Sequence, residues 1–170
     1  MSICRSLLLL TLLAWFTASH AEPFEIKIKS PAATIRIPDL EAFKLVVHPN
    51  NATRPEAKLL GRKNGITVTV LTPTAEPNTT AARCASWLAG QVLFRFAPPL
   101  ETVQFVRVGE GAYVLVFPLK LGGVEQLKAF IVSGNGKDHC IEVEASRVDA
   151  TEQQRKEWLA GFRGVRVEAQ

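Results

Sequence analysis

Phe24, Ile26 and Ile28 interleave with Glu25, Lys27 and Lys29, a period-two alternation that predicts a strand with one buried face. Ile35 and Ile37 interleave with Thr34 and Arg36 in the same way. Phe43 to Val47 is a further β-rich run, closed by the loop sequence His48-Pro49-Asn50-Asn51. Ala57 to Arg62 and Ile66 to Val70 flank Asn64-Gly65, and an Asn-Gly pair supplies the two positive-φ residues of a tight hairpin turn. Thr72 to Thr80 carries Pro73 and Pro77 and reads as a turn-rich connection, with Asn78 the expected helix N-cap. Beyond it the apolar spacing changes to three and four. Ala81, Cys84, Ala85, Leu88 and Val92 fall on one helical face. Trp87 lies beside that face and is expected in the core. Gly90 weakens the last part of the helix, and Pro98-Pro99 ends it.

The second half is strand-rich. Thr102 to Val108 and Ala112 to Leu119 flank Gly109-Glu110-Gly111, and Leu127 to Val132 and Asp138 to Ser146 flank Ser133 to Lys137. Four such runs separated by turn residues predict an antiparallel meander. Asp149 followed by Glu152 has the capping-box spacing of a second helix, which continues through Trp158 and Phe162 until Gly164 stops it before Val165 to Val167. Trp158 is expected in the core. The fold class is therefore α+β: an antiparallel sheet with a hairpin-rich N-terminal half, a four-stranded meander and two flanking helices, arranged as an αβα sandwich.

The N-terminus has a different character. Arg5 precedes an apolar run from Leu7 to Phe16, and Ser19-His20-Ala21 places small residues where a signal peptidase cuts. Residues 1–21 thus read as a signal peptide and 22–170 as a single domain. The apolar run stops short of the roughly 20 residues a bilayer requires, so the mature form is expected to span no membrane and to reside in the periplasm. With 47% hydrophobic and 21% charged residues the chain is not disordered. Its formal net charge of +4 falls by one with Arg5, too small an excess to imply nucleic acid.

Export leaves two cysteines, Cys84 and Cys140, which in an oxidising compartment are expected to pair. The competing reading makes Asp138-His139-Cys140 a reactive thiol with a neighbouring base. Sequence neighbours on a strand point to opposite faces, which disfavours it. Ile141, Val143 and Ala145 share one strand face, and Cys140, Glu142, Glu144 and Ser146 the other. A disulfide then requires either that the first helix cross that face only at the start of the strand, or that a bulge re-aim Cys140.

Glu142 and Glu144 could serve as paired carboxylates in acid–base or metal chemistry, although such a pair is more often a solvated sheet face. His48 and His139 lack the tight spacing of a zinc site. No nucleophile elbow, P-loop or dinucleotide fingerprint occurs, so no catalytic residue and no cofactor is expected. Gly109, Glu110 and Gly111 at a hairpin tip, with His48 and Asn50 in another loop, are the candidate partner-binding residues, because loops on a rigid sheet present contacts at little entropic cost.

The order of elements resembles the PsbP-like family of small αβα sandwiches. The resemblance rests on Leu59-Leu60-Gly61 with Gly65-Ile66-Thr67-Val68, a middle helix, and Tyr113-Val114-Leu115-Val116 with Ile141-Glu142-Val143-Glu144-Ala145-Ser146 before a C-terminal helix. It implies an envelope protein that acts by binding or assembly, and transfers no functional residue. Two functions follow as expectations. One is an exported binding or inhibitory module whose partner is another exported or envelope-associated protein, an immunity protein against a secreted toxin being one form. The other is an envelope enzyme or metal-dependent factor using Glu142 and Glu144.

Overall fold

The computed structural model describes residues 23–38, 44–109 and 111–169. The expected signal peptide, Phe43 and Glu110 lie outside the described residues. In chain order the elements are β1 (Phe24–Lys29), β2 (Ala32–Ile37), β3 (Val46–Val47), β4 (Ala57–Lys63), β5 (Ile66–Leu71), α1 (Ala81–Phe96), a 3₁₀ turn (Leu100–Thr102), β6 (Gln104–Val108), β7 (Ala112–Leu121), β8 (Val124–Gly134), β9 (Cys140–Val148), α2 (Glu152–Arg163) and β10 (Arg166–Ala169).

The chain is α+β with antiparallel pairing throughout, as expected, but its strands form two sheets. The larger has the order β3-β4-β5-β9-β8-β7-β6, and the smaller is β1-β2-β10. The predicted meander is β6 to β9, joined through β9 to the hairpin of β4 and β5. That β1 and β2 leave the main sheet has a physical reason in their own alternation. Phe24, Ile26, Ile28, Ile35 and Ile37 are buried, whereas the opposite face carries Lys27, Lys29 and Arg36. A ribbon with one apolar face can lie as a separate layer over a larger sheet, its charged face in water. There Arg36 meets both Glu25 and Glu168.

The main sheet is apolar on both sides. One side, with Val68, Val70, Ile131, Ile141 and Val143, packs against the small sheet and against Trp158 and Phe162 of α2. The other, with Leu115, Phe117, Phe130 and Val132, receives Cys84, Ala85, Leu88 and Val92 of α1. The two helices thus flank the sheet from opposite sides, α2 sharing its side with the small sheet. Among the described residues no helix is long and apolar enough to cross a membrane.

Both expected N-caps lie two residues early. Asn78 and Asp149 have φ of 60° and 51°, the left-handed conformation that Asn and Asp tolerate best after glycine. An N-cap needs extended backbone, which Thr80 and Thr151 have. Thr80 accepts from the Arg83 amide, and Thr151 forms a reciprocal capping box with Gln154. Nor does Gly90 weaken α1 enough to end it: Leu88 and Val92 bury on either side, and α1 runs to Phe96 with Ala97 as its left-handed cap.

Candidate partner-binding surface

Alternate strand connections gather at one end of the main sheet, as the register shows. Leu71, Glu142, Val132 and Tyr113 lie in one row across β5, β9, β8 and β7, and beyond that row lie the connections 48–56, 72–80 and 134–139 and the ends of β6 and β7 at Gly109 and Gly111. The 72–80 connection is fastened to the 134–139 turn. Ala75 donates to Asp138 O, Thr79 to Lys137 O, Cys140 to Pro73 O, and Thr74 bridges to His139. The turn is organised in turn by Asn135, whose Oδ1 accepts from the amides of Lys137, Asp138 and His139.

This stitching sets the first turn of α1 on the start of β9, where the Cys84–Cys140 disulfide forms with Cα atoms 5.6 Å apart. The β8–β9 pairing continues in regular register to Gly134 and Cys140. Of the two routes open from sequence, the helix crossing the face at the strand's start is therefore the one taken. Gly134 makes the crossing possible. A Cβ there would stand 2.8 Å from Thr79 O and 2.8 Å from Thr80 C.

Beside the disulfide lies an open groove of about 900 Å³, lined among others by Thr74, Glu76, Arg83, Ser86 and Trp87. Arg83 and Glu76 face each other at 3.7 Å, both well exposed. Trp87, expected in the core, is instead 50% exposed, and Phe94 is 91% exposed. The two are seven residues apart, hence two turns and about 10 Å along the same side of α1. Between them Gly90 faces open space. The outward side of α1 thus carries two large aromatic side chains next to a groove with a polar rim. The helical spacing held this signal: a core face centred on Cys84, Leu88 and Val92 places Trp87 and Phe94 off that face.

No family model matches the chain, and no curated protein matches it.

The loop residues singled out from sequence share this end of the sheet but not one site. His48 and Asn50 follow β3 at one edge, their local turn held by the Asn50 amide donating to His48 Nδ1. Gly109 and Gly111 join β6 to β7 at the other, both at positive φ. Six interstrand spacings separate the edges, roughly 29 Å. The groove and Trp87 lie between them.

Glu142 and Glu144 are on the α1 side of β9, and Glu142 is not on a solvated face. It is 6% exposed, and burial raises its carboxyl to about 7, the Glu144 charge adding to the effect and Arg95 opposing it. Glu144 is ion-paired to Lys128 at 2.7 Å. Neither opens into the groove beside α1 or into the smaller cavities at His139, Trp158 and Glu152. His139 donates to or accepts from Asp138 at 2.6 Å, which holds the Asp138 carboxyl below its usual range. Cys140, on the opposite face, is committed to the disulfide. Among the described residues no three His, Cys, Asp or Glu side chains converge as metal ligands.

Proposed function

We propose that this protein is an exported binding module that captures another protein through the outward side of α1 and the groove at its first turns. The observation that carries the reading is the exposure of Phe94 and Trp87 on one side of one helix. Large aromatic side chains dominate the energetics of protein interfaces, and Trp is the most enriched of them. Two such residues left in water two turns apart, beside a polar-rimmed groove, have the layout of an interface core with its rim. The core face of α1 is made by Cys84, Ala85, Leu88 and Val92 and includes neither of them.

A disulfide fixing the base of α1 supports residence in an oxidising space such as the periplasm, and the PsbP-like order of elements supports a role in binding or assembly. Inhibition of a secreted toxin is one form that such capture takes. The reading is tested by placing a photo-crosslinking amino acid at position 94 and irradiating intact cells. A discrete adduct to one exported or envelope protein is expected, and an equivalent probe at Lys120, on the opposite end of the sheet, should give none. Absence of any adduct at 94, with the protein correctly exported, overturns the proposal.

A further inference from the structure

The two sheets have four edges, and three are protected against pairing with another chain. β3 is two residues long, is followed by Pro49, and lies on a β4 whose register shifts between Ala57 and Leu59. β1 alternates charged residues along its length, Lys27 pairing with Glu25 at 2.9 Å. β10 has four residues, two of them charged, with Glu168 engaged by Arg36. Short strands, charge, proline and irregular register are the devices by which edges are kept from adding strands.

β6 is the least protected of the four, its one such device being the charge of Arg107. Its five residues, Gln104 to Val108, pair with β7 in unbroken register and contain neither lysine nor proline. Phe105 and Val106 are 46% and 38% exposed, one on each face, and among the described residues no strand pairs with the outer side. Alternate residues of an antiparallel edge direct N–H and C=O groups outward, so β6 offers a row of unsatisfied donors and acceptors flanked by apolar side chains.

We propose that β6 pairs antiparallel with β6 of a second copy of this chain, joining two seven-stranded sheets across a two-fold axis at Val106. The sequence of the strand selects this occupant and this register. A two-fold axis normal to the sheet permits only pairings that keep each residue on its own face. Centred on Val106, all five residues overlap: Val106 meets itself, Gln104 meets the partner's Val108, and Phe105 meets the partner's Arg107. The single charge on the strand is thereby set against an aromatic ring rather than its like, a favourable cross-strand arrangement that occurs twice by symmetry. Centred on Arg107 the two cations would oppose each other, and centred on Phe105 the overlap shrinks.

The register makes a covalent test available. Residues directly opposite in an antiparallel pair have Cα atoms about 4.5–5.5 Å apart, within disulfide range. Val106→Cys should therefore cross-link to itself under mild oxidation and migrate as a dimer. Arg107→Cys, whose two copies would stand about 8 Å apart across the pair, should not. Peptide mapping confirms that Cys84 and Cys140 stay joined. In sedimentation velocity the unmodified protein is expected to dimerise with concentration, and Val106→Lys, which sets two cations opposite, to be monomeric with an unchanged circular-dichroism spectrum. A protein monomeric at its highest soluble concentration overturns the proposal. So does a dimer that neither links at 106 nor dissociates in Val106→Lys, since it forms through another surface. The outcome is independent of partner capture at α1, which lies on a different part of the molecule.

Discussion

Glu142 and Glu144 stand two residues apart on one face of β9, yet only Glu144 meets a cation at contact distance, the Lys128 ammonium 2.7 Å away. Adjacent positions on one strand face thus carry carboxylates in opposite electrostatic situations, and substitutions at the two should have opposite effects on stability.

For Glu142, burial raises the folded-state value from the ordinary 4.5 to about 7. The folded protein then holds a proton between these values that the unfolded chain has released. Stability from this group is accordingly full below about pH 4.5 and is lost as pH rises through 7. Glu142→Gln removes the loss. Urea unfolding should show the variant more stable than the parent at pH 8, by on the order of 3 kcal/mol at most, and close to it at pH 4. An equal difference at both pH values would mean that the carboxyl does not titrate as its surroundings require.

Glu144→Gln should act in the opposite direction. Lys128 has a side chain only 11% exposed and lies 5.6 Å from the Phe96 ring, so losing the carboxylate leaves a buried ammonium without its counter-ion. A destabilisation of about 1–3 kcal/mol is expected at neutral pH, and Glu144→Gln/Lys128→Met should recover part of it. A neutral single variant would show that solvent already screens the pair.

The alternation in β9 was legible in the sequence, and so was its division into an Ile141 face and a Glu142 face. What was not legible was how much of the second face α1 would cover, because that depends on where the helix crosses. The crossing is set by Gly134 and by the hydrogen bonds from Ala75, Thr79 and Cys140, all contacts remote in sequence. The same limit explains Trp87. Its helical phase was readable, but a residue at the margin of an apolar face is covered or exposed according to the layer above it, and among the described residues none covers Trp87 fully. For β1 and β2 the pattern predicted the strands and their buried faces, whereas period two does not say to which sheet a strand belongs; β10, which pairs with β2, is some 130 residues away along the chain.

The close approach at Gly134 has a direct consequence. Gly134→Ala sets a methyl group 2.8 Å from two backbone atoms, Thr79 O and Thr80 C, neither of which can rotate aside. The start of α1 has to lift from the sheet, so a loss of about 1–3 kcal/mol is expected by denaturant titration. Gly136→Ala, at φ 72° in open space, should cost less, through backbone strain alone. Equal costs would show that the helix start is not seated as described.

The Cys84–Cys140 bond closes 56 positions of sequence, and in the chain-entropy account a loop of that length contributes up to about 4 kcal/mol. Cys84→Ala/Cys140→Ala should therefore unfold at distinctly lower denaturant concentration. Two alkylatable thiols recovered from the native protein would refute the bond itself and return Cys140 to the reactive reading.

The proposed binding surface is open to a separation of stability from function that no core residue permits. Leu88 is buried on the inner face of α1, and Leu88→Ala should cost about 2–5 kcal/mol and weaken capture only by unfolding. Trp87→Ser/Phe94→Ser removes one side chain that stands in water and one that is half exposed, both outside the core face of α1, so its stability should stay near the parent's, while truncation of aromatic anchors at an interface costs 2 kcal/mol or more each. Capture of the protein cross-linked at position 94 should then fall by about 30-fold for either residue alone and by up to on the order of 1,000-fold for the pair, since each 1.4 kcal/mol is a factor of ten. Variants at His48 and Asn50, and at Gly109 and Gly111, are the necessary contrast, because those loops flank the groove at opposite edges of the sheet. If they abolish capture while the aromatic pair proves dispensable, the loop ends and not the helix form the interface. If the aromatic variant alone loses the partner, the interface is centred on the outward side of α1, with the groove beside the disulfide as its rim.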